Sequence, residues 1–342
     1  MVVAPDKMRG TAPARNVAAA VGRAAAAAGW DCDEVPVADG GEGTLDVLGG
    51  PNRTTTVTGP LGDPVAAGWR LDGRTAVVEM ARASGLALVG GADGNDPVAA
   101  SSVGTGELLA AAVDAGARRL LVGLGGSATT DGGLGALRAL YPLHRLAGVE
   151  IVALCDVRID FVDAAPVFAP QKGASAAQVE LLRRRLDRLA DVYLADHGID
   201  VRALEGAGAA GGLAGGLAVA GAALVPGFEV VADEAGLYDL VAGADLVVTA
   251  EGFLDDQSFA GKVVGGVWEL ASDAGVPCAA IVGEVDAPGA VPAGLTVVSL
   301  VERFGDERAR SATLACIEAA AADLIDRGGT MPPAVPEQGH DR

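Results

Sequence analysis

Short segments rich in glycine and acidic residues carry the side chains of this sequence that could do chemistry. Glycine amide groups can converge on an anion, and neighbouring carboxylates can hold a cation or accept a proton. The segments occupy residues 39–44, 121–133, 170–173, 206–211 and 251–262. Residues of these types are typical of a site that binds phosphate groups together with a cation.

The first segment, Asp39-Gly40-Gly41-Glu42-Gly43-Thr44, follows a predicted strand. Ligands of parallel sheets bind beyond the carboxyl ends of the strands. We therefore expect this segment to contact substrate or phosphate, through Asp39, Gly40, Gly41 and Glu42. An ordinary turn before a helix is the competing interpretation.

In the second segment a predicted strand ends at Gly123 and runs directly into glycine and hydroxyl residues. Amide and hydroxyl donors of such a loop can cradle phosphate oxygens. The predicted donors are Gly125, Gly126, Ser127 and Thr129. Asp131 follows them as a candidate general base or metal ligand.

Acidic residues and a lysine share the segment 251–262, where Glu251 and Asp255 precede Lys262. Carboxylates beside a lysine suit a magnesium–phosphate pair. The segment is not a Walker A loop, because Asp256 and Val263 stand where that motif needs Gly and Ser or Thr. A capped helix start is the alternative.

Two further segments carry weaker signals. Gln171 and Lys172 lie in what is otherwise a polar turn, although a lysine in an acidic protein is a candidate to meet phosphate. Residues 206–211 match GxGxxG, but no strand precedes them, which argues against a nicotinamide-dependent enzyme. We interpret this segment as close backbone packing.

The net charge of the protein limits which classes of molecule are expected to bind to it. Acidic residues outnumber basic ones by 45 to 25, and the formal net charge is −20. Such a field repels nucleic acid and anionic lipid, so neither is an expected partner. It also repels ATP, so a nucleotide site here needs a bound cation and well-placed Lys or Arg side chains.

Cysteine spacing and hydropathy indicate a cytoplasmic protein. The four cysteines form no metal or disulfide pattern, as expected in a reducing cytoplasm. No secretory signal is recognised. The uncharged run 206–228 could span a bilayer by length, but its glycine and alanine content favours a buried glycine-rich loop and helix.

The predicted strands and helices that position these segments indicate an α/β protein. Strands 2–4 and 33–37 flank a helix, and short β segments with tight turns follow over 54–80. The predicted helices are 12–28, 104–115, 176–190, 260–274 and 307–326. We expect one α/β domain from 1–55 and 230–328, an inserted domain over 56–229, an active cleft between them and a disordered tail over 329–342.

In combination the segments resemble the bacterial glycerate kinase family, which phosphorylates D-glycerate with ATP. No single segment is specific to this family, but the whole series of segments, in the order the family has them, is specific. The resemblance extends from about Ala4 to Ala280. It rests on Ala4-Pro5-Asp6 with Gly10, the segment 37–44, Gly104-Thr105-Gly106-Glu107-Leu108, the segment 125–133, Pro170-Gln171-Lys172-Gly173-Ala174, the segment 206–213, and Glu251-Gly252 with Asp255, Gln257, Gly261 and Lys262.

The resemblance implies a flavodoxin-like parallel-sheet domain, a second inserted α/β domain, and ATP with Mg²⁺ as cofactors. On this basis the expected catalytic residues are Asp131, Asp255 and Lys262, and Asp131 and Asp255 are the expected Mg²⁺ ligands. The further residues expected to bind substrate or phosphate are Asp6, Arg9, Gln171, Lys172 and Glu251.

This chain also departs from the family pattern. Phe253 stands where the family usually has an arginine, and the connections after Gly133 and Asp156 are short. A non-catalytic or substrate-shifted member that binds a sugar acid or nucleotide in a regulatory role is therefore the alternative function. The hydroxyl that is phosphorylated and the formation of a homodimer are left open.

Overall fold

The chain divides into two units in the structure, which is a computed structural model. Residues 1–8, 10–259, 261–286, 289 and 291–327 are described. Unit 1 comprises residues 1–36 and the described residues from 236 onward, and unit 2 comprises residues 37–235. Unit 2 is therefore inserted between two segments of unit 1.

Strands are short throughout. Within the described residues they are, in chain order, β1 Val2–Val3, β2 Asp33–Glu34, β3 Arg53–Thr58, β4 Pro64–Asp72, β5 Thr75–Glu79, β6 Arg119–Gly123, β7 Glu150–Leu154, β8 Ala223–Val225, β9 Val247–Leu254, β10 Cys278–Val285 and β11 Leu295–Ser299.

The helices vary more in length. In the same part of the chain they are α1 Ala14–Ala27, α2 Thr44–Val47, α3 Ala81–Ser84, α4 Val103–Asp114, α5 Leu134–Leu140, α6 Ala164–Phe168, α7 Ala176–His197, α8 Ala209–Val219, α9 Gly227–Glu234, α10 Leu237–Ala242, α11 Val263–Asp273, α12 Leu300–Phe304, α13 Asp306–Ser311 and α14 Thr313–Asp326.

Unit 1 is built on a five-stranded sheet of order β2-β1-β9-β10-β11. Every pair in it is parallel. This is the flavodoxin-like order, in which the first strand lies between the second and the third. The prediction of a flavodoxin-like α/β domain is confirmed. The topological switch point, where such folds bind ligands, lies at the carboxyl ends of β1 and β9.

Unit 2 is built on a six-stranded sheet of order β3-β4-β5-β6-β7-β8. Strands β3, β4 and β5 pair antiparallel, as the turn-rich sequence of residues 54–80 predicted. Strands β5 to β8 pair parallel. Their carboxyl ends therefore meet at one edge, where the loops after Glu79, Gly123 and Leu154 begin.

Small residues allow the helices of unit 1 to approach one another. Helices α1 and α14 contact each other, and the buried positions of α1 include Ala18 and Ala25, while those of α14 include Ala320 and Ala321. Because alanine side chains are short and cost no rotamer entropy, they suit close helix contacts. The high alanine content is thus used in packing.

The two units do not begin and end where the sequence predicted. The predicted limits were 1–55 with 230–328 and 56–229, whereas the division falls after Pro36 and after Ala235. The loop of residues 37–44 belongs to unit 2 because it packs on that unit's sheet. The amide N–H of Leu124 donates to Gly40 O at 3.1 Å. The predicted tail 329–342 lies outside the described residues.

Helix ends also differ from the predictions. The helix expected over 307–326 is two helices, α13 and α14. The hydroxyls of Ser311 and Thr313 donate to the carbonyls of Glu307 and Ala309, which competes with regular helix geometry at this point. Helix α7 continues past residue 190 to His197, where Gly198 supplies the left-handed residue that ends a helix (φ +74°).

Candidate active site

Unit 2 places several of the predicted residues at the carboxyl ends of its parallel strands. Residues 39–44 lie beside the loop that follows β6. A Cβ atom at Gly125 would lie 2.8 Å from Glu42 N and 2.8 Å from Gly41 Cα. Glycine at this position is therefore what allows the two predicted phosphate-binding segments to contact each other.

A buried carboxylate holds the first of these segments in place. Glu79, at the end of β5, accepts hydrogen bonds from the amide N–H groups of Gly43 and Leu45 at 2.8 and 2.9 Å. Arg82 donates to its second oxygen at 3.0 Å. Sequence reasoning missed Glu79. The available signal was an acidic residue at the end of an otherwise apolar strand.

The Asp39 side chain lies in the segment that Glu79 supports. Asp39 is half-buried and accepts a hydrogen bond from the amide N–H of Gly41 at 3.0 Å through Oδ1. No hydrogen bond to Asp39 Oδ2 is recorded within the described residues. Gly40 packs against the end of β7, because a Cβ there would be 2.7 Å from Leu154 Cβ.

The loop after β6 offers unused amide donors. None of the hydrogen bonds recorded for the described residues uses the amide N–H of Gly125, Gly126 or Ser127. Gly126 adopts the left-handed conformation (φ +72°). A left-handed residue in a turn directs successive N–H groups toward one point, and such concavities bind anions.

Lys172 supports this loop from inside the protein. It is 3% exposed, and its Nζ donates to Ser127 Oγ at 2.7 Å and to Thr129 O at 2.6 Å. Burial lowers the pKa of Lys172 to about 7, and the negative charge of Asp131 opposes that shift. Lys172 thus contacts the predicted phosphate loop directly.

Asn95 ties the same two segments together. Its Nδ2 donates to Ala128 O at 3.1 Å and to Lys172 O at 2.9 Å. This residue was not anticipated either, because it lies in a loop far away in sequence and its neighbours carry no recognisable pattern.

Asp131 is held by many donors. One oxygen accepts from Ser102 N and Ser102 Oγ, both at 2.8 Å, and from Gly135 N at 3.2 Å. The other accepts from Gly133 N at 3.1 Å. These contacts fix the starts of α4 and α5 and leave little capacity for a metal or a proton.

The GxGxxG segment packs closely on the phosphate loop. Gly132 N donates to Gly211 O at 3.1 Å, and a Cβ at Gly211 would overlap Thr129 O. Ala210, Gly211 and Gly212 all have positive φ, between 52 and 86°. The interpretation of this segment as close backbone packing is confirmed.

In unit 1 the predicted residues gather at the switch point of the sheet. Asp6 follows β1, and its N–H donates to Ala250 O of β9 at 2.9 Å. Glu251 lies one residue further along β9. Burial raises the pKa of Glu251 to about 7; Ser258 and Lys262 oppose the shift, and Asp6 and Asp255 add to it. Glu251 Oε2 is buried and has no hydrogen-bond partner in the described part of the chain.

Asp255 and Lys262 lie beside Glu251 in unit 1. The Lys262 ammonium is 4.0 Å from Asp255 Oδ1, and both side chains are about a third exposed. Asp255 Oδ1 also accepts from the amides of Gln257 and Ser258 at 2.9 and 3.0 Å. Asp255 thus caps the short helical turn that follows it, as the alternative interpretation predicted. It also lies within ion-pair distance of Lys262.

The remaining predicted residues are less informative. Arg9 lies outside the described residues. Gln171 is exposed, as is Phe253. The structure therefore brings together Asp39, Glu42, Ser127, Thr129, Asp131 and Lys172 in unit 2, and Asp6, Glu251, Asp255 and Lys262 in unit 1.

Protein carboxylates do not form a complete metal site. The described residues contain no group of three or more His, Cys, Asp or Glu side chains that could hold a metal ion. Mg²⁺ needs fewer, because it binds through one or two carboxylates with substrate phosphates and water. In addition, none of the helices in the described ranges is both long and apolar enough to cross a membrane.

Sequence comparisons identify relatives over most of the chain. A family model described as the glycerate kinase family matches residues 1–141 and 142–326. Glycerate kinase of Bacillus subtilis (strain 168) is 39% identical over 325 residues, covering 83% of this chain and 85% of the relative. Glycerate 2-kinase of Escherichia coli (strain K12) is 38% identical over 325 residues, with 83% and 85% covered.

A structural comparison agrees with these matches. A crystal structure from Salmonella typhimurium LT2, assigned as glycerate kinase 2, aligns with a TM-score of 0.81 at 34% sequence identity. The alignment covers 95% of this chain and 97% of that chain.

Proposed function

Because the chain belongs to the glycerate kinase family, we propose that it transfers the γ-phosphate of ATP to a hydroxyl of D-glycerate or a similar small hydroxy acid. Phosphoryl transfer depends mainly on positioning and on neutralising phosphate charge. The chain therefore needs anion donors, a place for a cation and a group that orients the acceptor hydroxyl.

The observation that carries the proposal is the set of unused amide donors at Gly125, Gly126 and Ser127. Three neighbouring N–H groups around a left-handed glycine suit phosphate oxygens. Lys172 adds a charge behind the loop through its contact with Ser127 Oγ. In its protonated form this side chain attracts phosphate even in a strongly acidic protein.

The residues of unit 1 fit Mg²⁺. Glu251 has a buried oxygen that finds no partner among the described residues, and Asp6 and Asp255 lie near enough to raise its pKa. Oxygen ligands of this kind are those Mg²⁺ prefers. When bound, Mg²⁺ would neutralise charge on the transferred phosphate. Glu251 and Asp255 are the proposed ligands, with Lys262 as the neighbouring cation.

The remaining roles follow from hydrogen bonding. Asp39, whose Oδ2 has no hydrogen bond within the described residues, is proposed to accept the hydrogen bond of the hydroxyl that is phosphorylated, with Glu42 beside it. Asp131 was expected to act as a base or Mg²⁺ ligand. Because four donors already occupy its carboxylate, we propose that it positions the loop instead.

The free cysteines support an intracellular setting. Cys32, Cys155, Cys278 and Cys316 form no disulfide, as is usual in a reducing compartment. A cytoplasmic location is proposed on this basis. The homodimer stays a prediction that sedimentation would test.

The test is an assay of ADP release with ATP, Mg²⁺ and D-glycerate, followed by NMR of the product to identify the phosphorylated carbon. We expect turnover only when all three are present. Ser127→Ala keeps the amide but removes the hydroxyl that joins the loop to Lys172, and it should lower kcat/KM for ATP about tenfold, equivalent to about 1.4 kcal/mol. Thr54→Ala, which changes an exposed hydroxyl on β3, is the control. Absence of turnover with every small hydroxy acid tried would refute the proposal.

A further inference from the structure

Unit 2 contains a cavity that the proposed reaction does not use. Its volume is about 420 Å³, within the range of small-molecule pockets in proteins. One wall is helix α7 and the opposite wall is the segment around Thr130, Asp131 and Leu134. Residues 185, 188, 189 and 192 of α7 face it at the three- and four-residue spacing of one helix face.

The floor of the cavity is apolar. Leu186 is 1% exposed, and Leu134 and Leu189 are partly buried beside it. Val192, at the opening, is 47% exposed. Neither glycerate nor the triphosphate part of ATP matches such a surface, because both carry polar groups along their whole length. The cavity suits a molecule with an apolar body.

The rim of the cavity is basic in a protein whose net charge is −20. Arg185 and Arg188 both line it and both are exposed. Arg185 donates to Val98 O at 3.0 Å. For Arg188, no ion pair or hydrogen bond is recorded within the described residues. Guanidinium groups bind carboxylates through paired, charge-assisted hydrogen bonds.

The adjacent arginine on helix α7, Arg184, is not part of the basic rim. It does not line the cavity and forms an ion pair with Glu180 at 3.4 Å. Asp131, on the opposite wall, would repel an anionic group placed deep in the cavity. An anionic head therefore belongs at the arginine rim, with the apolar body directed inward.

We propose that this cavity binds a small organic carboxylate with an aliphatic or aromatic body. The apolar floor holds the body, and Arg185 and Arg188 bind the carboxylate. The site is separate from the amide donors of residues 125–127, and the proposal does not depend on the kinase activity.

The experiment is calorimetric titration of the full-length protein with octanoate, compared with octan-1-ol and octylammonium chloride. We expect saturable octanoate binding, at least about tenfold tighter than that of either comparison ligand, since a charge-assisted pair contributes on that order. Arg188→Gln should weaken octanoate binding about tenfold. Arg184→Gln is the matched control on the same helix and should change it less than about twofold.

A second variant tests the cavity itself. Leu189→Trp fills the floor and should abolish octanoate binding while circular dichroism stays unchanged. Equal binding of octylammonium, equal weakening by Arg184→Gln, or undiminished binding by a folded Leu189→Trp protein would each overturn the proposal. So would the absence of saturable octanoate binding at millimolar concentration. Kinase turnover is not a readout, so these outcomes leave the proposed function untouched.

Discussion

Lys172 illustrates how burial changes the role of a residue type. Its sequence context, a polar turn in an acidic protein, made it a candidate cation to meet phosphate. In the structure its ammonium lies under the loop and donates to Ser127 and Thr129. The sequence singled out both Lys172 and this loop, but the contact between them depends on the chain bringing positions 127 and 172 together, which local patterns do not encode.

The lowered pKa of Lys172 predicts a pH dependence of stability. The folded protein releases the proton near pH 7, whereas the unfolded chain keeps it up to the usual, higher pKa of lysine. Between those values the unfolded state binds more protons, so this residue makes stability rise with pH, by up to about 1.4 kcal/mol per pH unit. Below pH 7 the contribution of Lys172 to the free energy of unfolding no longer changes with pH, and it is at its least favourable value there.

Urea unfolding of wild type and Lys172→Met from pH 6 to pH 10 tests this dependence. The difference in unfolding free energy, wild type minus variant, should be flat below about pH 7 and increase above it. Lys262→Met controls for the loss of one lysine. A difference that stays level across the whole range would contradict the assignment.

Some strands and helices could be predicted from the sequence and others could not, for physical reasons. The strands of unit 1 and the antiparallel segments of residues 54–80 follow hydrophobic patterns and turn residues, and the structure has them. The run 206–228 was expected to hold a buried glycine-rich loop and helix, and helix α8 lies within it. The start of α8 was not predicted, because Ala210, Gly211 and Gly212 are left-handed and the sequence there is almost entirely glycine, alanine and leucine. Its position is set by contact with the loop of residues 129–132.

Gly211 provides a test at the level of this contact. Gly211→Ala places a Cβ against Thr129 O in addition to the left-handed strain, so it should lower the unfolding free energy by about 2–5 kcal/mol. Gly198→Ala, at the end of α7, has similar φ and open space around it. It should cost only about 1–2 kcal/mol.

Thermal and urea unfolding of both variants give the comparison. At temperatures where Gly211→Ala remains folded, its ADP release should also fall, since the loop bearing Ser127 is displaced. Equal destabilisation by the two changes would mean that the overlap with Thr129 is relieved by small shifts.

At the scale of the whole molecule, composition predicted the class of protein and the motif series predicted the family. The strand order of unit 1 matched the flavodoxin-like expectation. The division at Pro36 and Ala235 was not predicted, because it depends on which sheet the loop of residues 37–44 contacts. Local sequence signals place that loop after a strand, but they do not say which sheet covers it.

The net charge of −20 predicts a salt effect on catalysis. Long-range repulsion between the protein and ATP should slow the approach of ATP. Added salt weakens this repulsion, because at 0.1 M charges more than about 10 Å apart are largely screened from each other. With Mg²⁺ held in excess, kcat/KM for ATP should rise severalfold between low salt and about 0.1 M KCl. Sucrose, which is uncharged, is the control. A steady fall with salt would show that the local cations dominate.

The position of β1 affects how the protein can be made. Val2 and Val3 are buried and pair with β9, and Ala4 O accepts a hydrogen bond from Thr249, 245 residues later. At about 5–20 residues per second, a ribosome needs on the order of 12 to 50 s to supply that partner. Strand β1 must therefore stay unpaired on that side until those 245 further residues have been synthesised, and a nascent-chain chaperone would be expected to shield it.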